Sequence, residues 1–152
     1  MTYRLDDTFT RENCHVFDVF YDEQTKRVFG RGPHDSTPKE NPFGTTTGVI
    51  TCGIRPVLGS DQRHINNSTL IQKRGGDTKM MAGESIAVKV IRTVVFLDGI
   101  EDAKGNPIER VTDKVFPTLR NDLIKEIHAE IMEYNHESVE DDDEEGGETG
   151  ES

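Results

Sequence analysis

Tryptophan is absent from the 152-residue chain, and aromatic residues make up only 7% of it. Apolar residues reach 32%, which is low for a globular protein and favours a small core with many loops. Long apolar runs are also missing: the longest covers residues 94–97, whereas a membrane-spanning helix needs about 20 apolar residues. The chain is therefore predicted to bury one modest core, and no membrane association is expected.

Cysteine is nearly absent as well, with only Cys14 and Cys52 in the chain. Two residues cannot build a disulfide framework, and the first ten residues contain no apolar segment typical of a signal peptide. The sequence thus predicts a soluble intracellular protein with free thiols. No cysteine or histidine forms a close pair such as C-x-x-C, so neither a metal site nor any cofactor is predicted.

Basic residues are missing from residues 137–152, which hold nine acidic side chains. Subtracting these from the formal net charge of −11 leaves the rest of the chain with 20 acidic and 18 basic residues, a net charge of −2. A segment this acidic cannot bury enough apolar surface to offset the entropy lost on ordering. We predict a disordered acidic tail at residues 137–152, after a single domain at residues 1–136.

The first part of the domain shows the alternation of β-strands. Residues 15–21 and 27–31 are rich in β-branched and aromatic residues, with positions 16, 18 and 20 on one face of a strand and 17, 19 and 21 on the other. A short polar break separates the two runs, which predicts a hairpin. Three prolines and three glycines make residues 32–48 a long loop. A β-branched run at residues 49–58 predicts a further strand that leaves the sheet at Pro56.

A polar stretch at residues 59–68 is predicted to be a loop, and residues 68–73 (STLIQK) to be one more strand. The passage at residues 74–83 is predicted to be flexible because it is rich in glycine. Residues 1–82 thus form a loop-rich β region in this interpretation, and residues 83–136 a helical one.

The periodicity changes at Gly83. Ile86, Val90 and Val94 are spaced by four, which predicts a helix with a broad apolar face. The same residues are β-branched, so a core strand at residues 88–97 stays open as the alternative. Residues 98–107 contain two glycines and an Asn-Pro pair and are predicted to be a loop.

Two helix starts are predicted near the end of the domain. Thr112 or Asp113 can cap a short helix that Pro117 limits, and Asn121 can cap a longer helix at residues 122–135. The longer helix carries an apolar stripe made of Leu123, Ile124, Ile127, Ile131 and Tyr134. This stripe is either core or a partner-binding surface. The predicted fold class is α+β.

Catalytic signatures are missing throughout. The glycine-containing segments GTTTG and RGGD lack the GK[ST] ending of a phosphate-binding loop. The DGIED segment lacks the alternating oxygen ligands of a calcium loop. No catalytic residue is predicted, and the sequence points to a non-enzymatic binding or assembly protein.

Nucleic-acid binding is the alternative from a different class of protein. The middle of the chain is basic and the β region carries several aromatic residues, a combination that can bind single strands, and an acidic tail could regulate it. The net charge of −2 on the domain argues against this, because it provides little field to attract phosphates.

Residues 91–135 supply the remaining clue. Asp98-Gly99-Ile100-Glu101-Asp102 leads into Gly105-Asn106-Pro107-Ile108, a turn of the D-x-x-G-x-P type, and Val111-Thr112 and a Leu/Ile-rich helix ending at Asn135 follow. This stretch resembles the C-terminal segment of tail assembly chaperones of long-tailed bacteriophages.

The resemblance implies a virion morphogenesis protein that is not an enzyme. It would bind another phage tail structural protein, the tape measure or the tube, through the apolar helical surface named above, and release it on assembly. The implied location is the host cytoplasm. A structural protein of the tail or capsid, located in the virion, is the alternative within the same resemblance.

Overall fold

The computed structural model describes residues 2, 8–75 and 78–136, except that nothing is said of the side chains of residues 68–84. These ranges contain a four-stranded antiparallel sheet and three α-helices, which confirms the α+β prediction. The elements are β1 (His15–Asp22), β2 (Val28–Pro33), β3 (Thr47–Ile54), α1 (Gly59–Gly75), α2 (Thr78–Thr93), β4 (Val94–Asp98), a 3-10 turn (Phe116–Thr118) and α3 (Asn121–Tyr134). The predicted disordered tail lies outside the described residues.

The strands are ordered β2-β1-β3-β4 in the sheet. The β1–β2 hairpin and the long loop after it are confirmed, and β3 ends at Ile54, two residues before Pro56. Across the sheet Phe17 lies opposite Cys52, and Cys52 lies opposite Leu97. Because side chains alternate between the faces of a strand, these three residues mark one face, called here the core face.

The core face is covered by α3 and by part of α2. Four α3 side chains are buried against it, and Val90 of α2 joins the same cluster. The contribution of the sheet to this cluster consists of Phe17, Val19, Ile50, Cys52, Ile54, Val94 and Leu97. A single apolar layer between sheet and helices therefore forms the core.

The prediction for residues 59–73 was wrong. A loop was predicted at residues 59–68 and a strand at residues 68–73. Both ranges lie in α1, which packs against α2. Asp61 in the first turn accepts a hydrogen bond from the Leu58 N–H at 2.8 Å, a contact that satisfies a free backbone donor before the helix. Ile65 is buried, and packing of this kind stabilises a helix whose sequence is mostly polar.

The segment after Gly83 was predicted to be a helix, with a strand at residues 88–97 as the alternative. The structure contains both, the helix first and the strand after it. The chain is helical through Thr93, and β4 begins at Val94 with no loop between them. The Arg55 N–H donates to the Thr93 carbonyl at 2.9 Å, which fixes the junction beside the end of β3. The boundary predicted at residue 83 between β region and helical region is thus not a structural boundary.

The predicted caps need correction. Arg120 occupies the N-cap position of α3, and its side chain does not cap the helix backbone. The helix begins at Asn121, which was predicted to be the cap. The Thr112 hydroxyl accepts the Val115 N–H at 3.2 Å, in keeping with its predicted capping role. Pro117 lies within the 3-10 turn instead of ending a helix.

Candidate functional site

The apolar stripe of α3 faces the inside of the molecule. Leu123, Ile124, Ile127 and Ile131 are buried in the core, and Tyr134 is half-buried with its ring stacked on His15 at 4.6 Å between centroids. A partner could contact the four buried side chains only if α3 left the sheet. Their role in partner binding stays a prediction, and the folded chain uses them as core.

An open groove of about 1100 Å³ lies where the core face extends past the start of α3. Tyr21 of β1, Val28 of β2 and Ile50 of β3 form the floor of the groove. Its apolar lining includes Tyr21, Val28, Ile50, Ile100, Ile108, Leu119 and Leu123. We call it the sheet-end groove, and Leu123 is the one residue that it shares with the predicted partner-binding stripe.

One wall of the groove is the hairpin-like turn at residues 98–108. Its two arms are joined by the Ile108 N–H, which donates to the Ile100 carbonyl at 2.9 Å. The Asp102 carboxylate accepts the N–H groups of Lys104 and Asn106, each at 2.9 Å, and these bonds lower the pKa of Asp102. Backbone hydrogen bonds thus hold the turn that sequence analysis predicted only as a loop.

Gly99 fixes where this wall leaves the sheet. Its φ is +92°, and a Cβ at this position would lie 2.8 Å from the Val49 carbonyl oxygen. Glycine is the residue that tolerates both the positive φ and the close approach. The turn therefore starts against β3 and places Ile100 and Ile108 beside the floor of the groove.

The opposite wall is the start of α3. The Val28 N–H donates to Asp122 Oδ2 at 3.0 Å, which joins the helix to β2. Arg120 donates to both oxygens of the same carboxylate, at 3.2 and 3.3 Å. Burial would raise the pKa of Asp122, but these donors lower it overall. Asp122 therefore sets the position of this wall.

Charged side chains surround the groove and a smaller hollow of about 430 Å³ that shares Arg120 with it. The basic members are Lys26, Arg27, Lys104, Arg120 and Lys125, and the acidic members are Glu101, Asp102 and Asp122. Five basic and three acidic groups give this corner a net charge of +2, on a domain that carries −2. We call these five basic residues the basic corner.

The other face of the sheet holds two buried aspartates that sequence analysis missed. Asp18 accepts the Asp35 N–H at 3.0 Å, the Thr51 hydroxyl at 2.8 Å and His34 Nδ1 at 3.1 Å. The partners of Asp18 include His34 and Asp35 at the start of the long loop. This carboxylate therefore ties the loop to β1.

Asp22 ties down the far end of the same loop. It accepts hydrogen bonds from the Thr45 hydroxyl, from Asn41 Nδ2 at 2.9 Å and from Thr25 in the β1–β2 turn. The Thr45 hydroxyl lowers the pKa of Asp22 against the effect of burial, and Asn41 and Thr25 lower it further. On this face of β1 Asp18 and Asp22 alternate with Val16 and Phe20, and only the donors in the later loop could have indicated that the two carboxylates are buried.

An aromatic cluster lies beside this loop. The Arg27 guanidinium is 4.7 Å from the centre of the Phe43 ring, and Phe43 contacts Phe29 edge-on at 6.3 Å. Phe43 is 37% exposed. An exposed ring beside a cation is a surface on which a planar ligand can stack.

Both cysteines are free; Cys14 is half-buried and Cys52 is buried. Burial raises the pKa of each thiol, most strongly for Cys52, which opposes the thiolate form that a nucleophile needs. Within residues 8–75 and 78–136 the structure shows no group of three or more His, Cys, Asp or Glu side chains placed to hold a metal ion. A search of the helices described finds none long and apolar enough to cross a membrane.

Comparison of the chain with protein-family models, with curated protein sequences and with solved structures gave no match.

Proposed function

We propose that the protein is a non-enzymatic assembly protein that binds a segment of another protein in the sheet-end groove. The observation that carries this proposal is the groove itself, an open hollow of about 1100 Å³ with an apolar lining and a charged rim. Concave apolar sites with a few polar groups at the edge are where proteins usually bind ligands. At this size the groove accommodates several side chains of an extended segment or a short helix.

The resemblance to phage tail assembly chaperones supports the proposal that the sheet-end groove is the partner-binding surface. Residues 91–135 include both walls of the groove: the turn at residues 98–108, and Leu119 to the start of α3. We therefore propose that the partner is a phage tail structural protein, the tape measure or the tube, bound in the host cytoplasm before assembly. The surface proposed for it is the groove, because the apolar stripe of α3 is already packed against the sheet.

Co-expression with the tail structural protein encoded beside it tests this proposal. We expect the two chains to elute together in gel filtration, at a volume smaller than that of either chain alone. If the chain elutes alone while the tail protein remains soluble without it, the proposal is wrong.

A steric block distinguishes the groove from other surfaces. Ala103 lines the groove and is exposed, so Ala103→Trp places a large ring in the groove without removing a core contact. Val49 is 39% exposed on the opposite face of the sheet, and Val49→Trp is the matched control. We expect Ala103→Trp to abolish the complex and Val49→Trp to preserve it, with unchanged circular dichroism for both. Loss of the complex in both variants, or in neither, would place the partner elsewhere.

A second candidate function rests on the Arg27–Phe43 cluster. An exposed ring beside a cation, next to Lys26 and Lys125, fits the stacking and phosphate contacts of single-stranded nucleic acid. Fluorescence anisotropy with a labelled oligothymidine at low salt measures this directly. Binding that falls steeply with salt and is weakened by Phe43→Ala supports the second function, and no binding at low salt by a chain ending at His136 ends it.

A further inference from the structure

The basic side chains of this protein differ in whether a carboxylate neutralises them. Arg31 contacts three α3 glutamates, Arg55 and Arg92 share Asp61, and Arg11 pairs with Asp98. Among the side chains that the structure describes, eight basic ones form no ion pair with a carboxylate: Lys26, Arg27, Lys39, Arg63, Lys104, Arg110, Lys114 and Lys125. Half of these eight belong to the basic corner.

The basic corner is therefore a local excess of positive charge in an acidic chain. All five of its side chains are exposed, and three of them line the apolar sheet-end groove. Surfaces with this combination fit an acidic peptide that also carries an apolar residue. Residues 137–152 have that composition, with nine acidic side chains and one apolar residue, Val139.

We infer that the acidic segment at residues 137–152 binds the basic corner of its own chain and occupies the mouth of the sheet-end groove. Opposite charges attract the segment to Lys26, Arg27, Lys104 and Lys125, and its covalent attachment raises its local concentration to the millimolar range. An acidic segment of another protein would have to compete with it.

The length of the segment permits this contact. It follows His136, just after the end of α3, whereas the basic corner surrounds the start of α3. Fourteen helical residues span about 21 Å at 1.5 Å each. Sixteen residues of extended chain reach about 50 Å, so the second half of the segment can lie at the groove.

A spin label at the end of the full chain tests the inference. The label is attached to Ser152→Cys in a Cys14→Ser background, where Cys52 is fully buried and does not react. In ¹⁵N-resolved spectra at low salt, we expect the amide signals of Lys26, Lys104 and Lys125 to lose most of their intensity. The signals should recover in concentrated salt, which screens exposed charges. Broadening confined to residues near Asn135, or centred on Arg63, would overturn the inference.

Charge reversal provides the matched comparison. Lys125→Glu should weaken the broadening at the groove. Arg63→Glu, which makes the same change in net charge at an exposed residue of α1 that forms no ion pair with a carboxylate, should leave it unchanged. Equal loss in both would indicate attraction to net charge alone and would also overturn the inference. Regulation of a groove partner by this segment rests on the proposed function, but the spin-label experiment needs no partner. Its failure would leave the proposed function standing.

Discussion

Arg55 and Asp61 form a bidentate ion pair: Arg55 Nη1 lies 2.6 Å from Asp61 Oδ2, and Nη2 lies 3.0 Å from Oδ1. Arg92 Nε donates to Oδ1 as well, at 2.7 Å. The Asp61 side chain is 0% exposed. One buried carboxylate therefore joins the segment after β3, the first turn of α1 and the last turn of α2.

Asp61→Asn should destabilise the fold by about 3 kcal/mol, because it leaves two arginines beside a buried site without their counter-charge. Urea unfolding followed by circular dichroism measures the loss. Arg63→Ala in the same helix, which changes an exposed side chain, should stay within about 0.5 kcal/mol of the parent chain. Equal stability of the Asp61→Asn variant and the parent would show that the ion pair contributes nothing.

The same carboxylate predicts how stability depends on acidity. Burial would raise the pKa of Asp61, but hydrogen bonds from Arg55, from the Leu58 N–H and from Arg92 outweigh it and lower the pKa to about 2. A folded-state pKa below the usual value of about 3.9 contributes stability that is present above pH ~4 and is lost as the pH falls toward 2. Acid unfolding of Asp61→Asn should therefore show a weaker pH dependence than that of the parent. Identical slopes would contradict this assignment.

The α3 stripe gives a prediction that separates core from interface. Ile127 is 0% exposed, so Ile127→Ala should cost about 2–5 kcal/mol of stability. Tyr134→Ala, at the half-buried end of the stripe, should cost less because its ring lies partly in solvent. Thermal unfolding of both variants measures the difference. An Ile127→Ala chain that is fully stable and yet fails to bind a tail protein would restore the stripe as the interface.

Alanine substitutions at two glycines of the groove wall can distinguish the cost of backbone strain from the cost of a steric clash. Gly99 and Gly105 both have positive φ, +92° and +87°, but only at Gly99 would a Cβ meet the backbone, at 2.8 Å from the Val49 oxygen. Replacement of Gly105 by Ala should cost about 1–2 kcal/mol for the positive φ alone. Gly99→Ala should cost more, and it should shift the amide signals of Ile100 and Ile108. Equal costs would mean that the turn moves away from β3 without penalty.

The contact between His34 and Asp18 should make the stability of the long loop depend on pH. The hydrogen bond to Asp18 raises the pKa of His34 above its usual value near 6.5. The contact therefore stabilises the loop fully below that value and is lost as the pH rises through the higher folded-state pKa. An NMR titration should show that Asp18→Asn lowers this pKa more than Asp35→Asn does, since Asp35 contributes less. The reverse order would mean that the exposed Asp35 holds the imidazole.

Some of this fold was predictable from local patterns. The β1–β2 hairpin follows from two runs rich in β-branched and aromatic residues around a polar break, and α3 follows from its apolar spacing. The α2–β4 boundary was ambiguous because Val90, Val94 and Leu97 are all buried: a run that is buried in both a helix and a strand has no distinguishing period.

Other parts depend on distant contacts. The sequence of α1 is mostly polar, and its start is stabilised by Asp61 together with Arg92, thirty-one residues further along. The sheet-end groove combines four separate segments of the chain, so no local pattern in one of them could indicate it. Asp18 and Asp22 resemble surface residues until the loop that covers them is placed.

Thr93 and Val94 join α2 directly to β4, with no loop between the helix and the strand. The Arg55 N–H also holds the Thr93 carbonyl. Because no loop lies between α2 and β4, a change in the orientation of α2 would act directly on Val94, the first residue of β4. Five residues of β4 alone therefore separate the α1–α2 helix pair from the groove wall at residues 98–108.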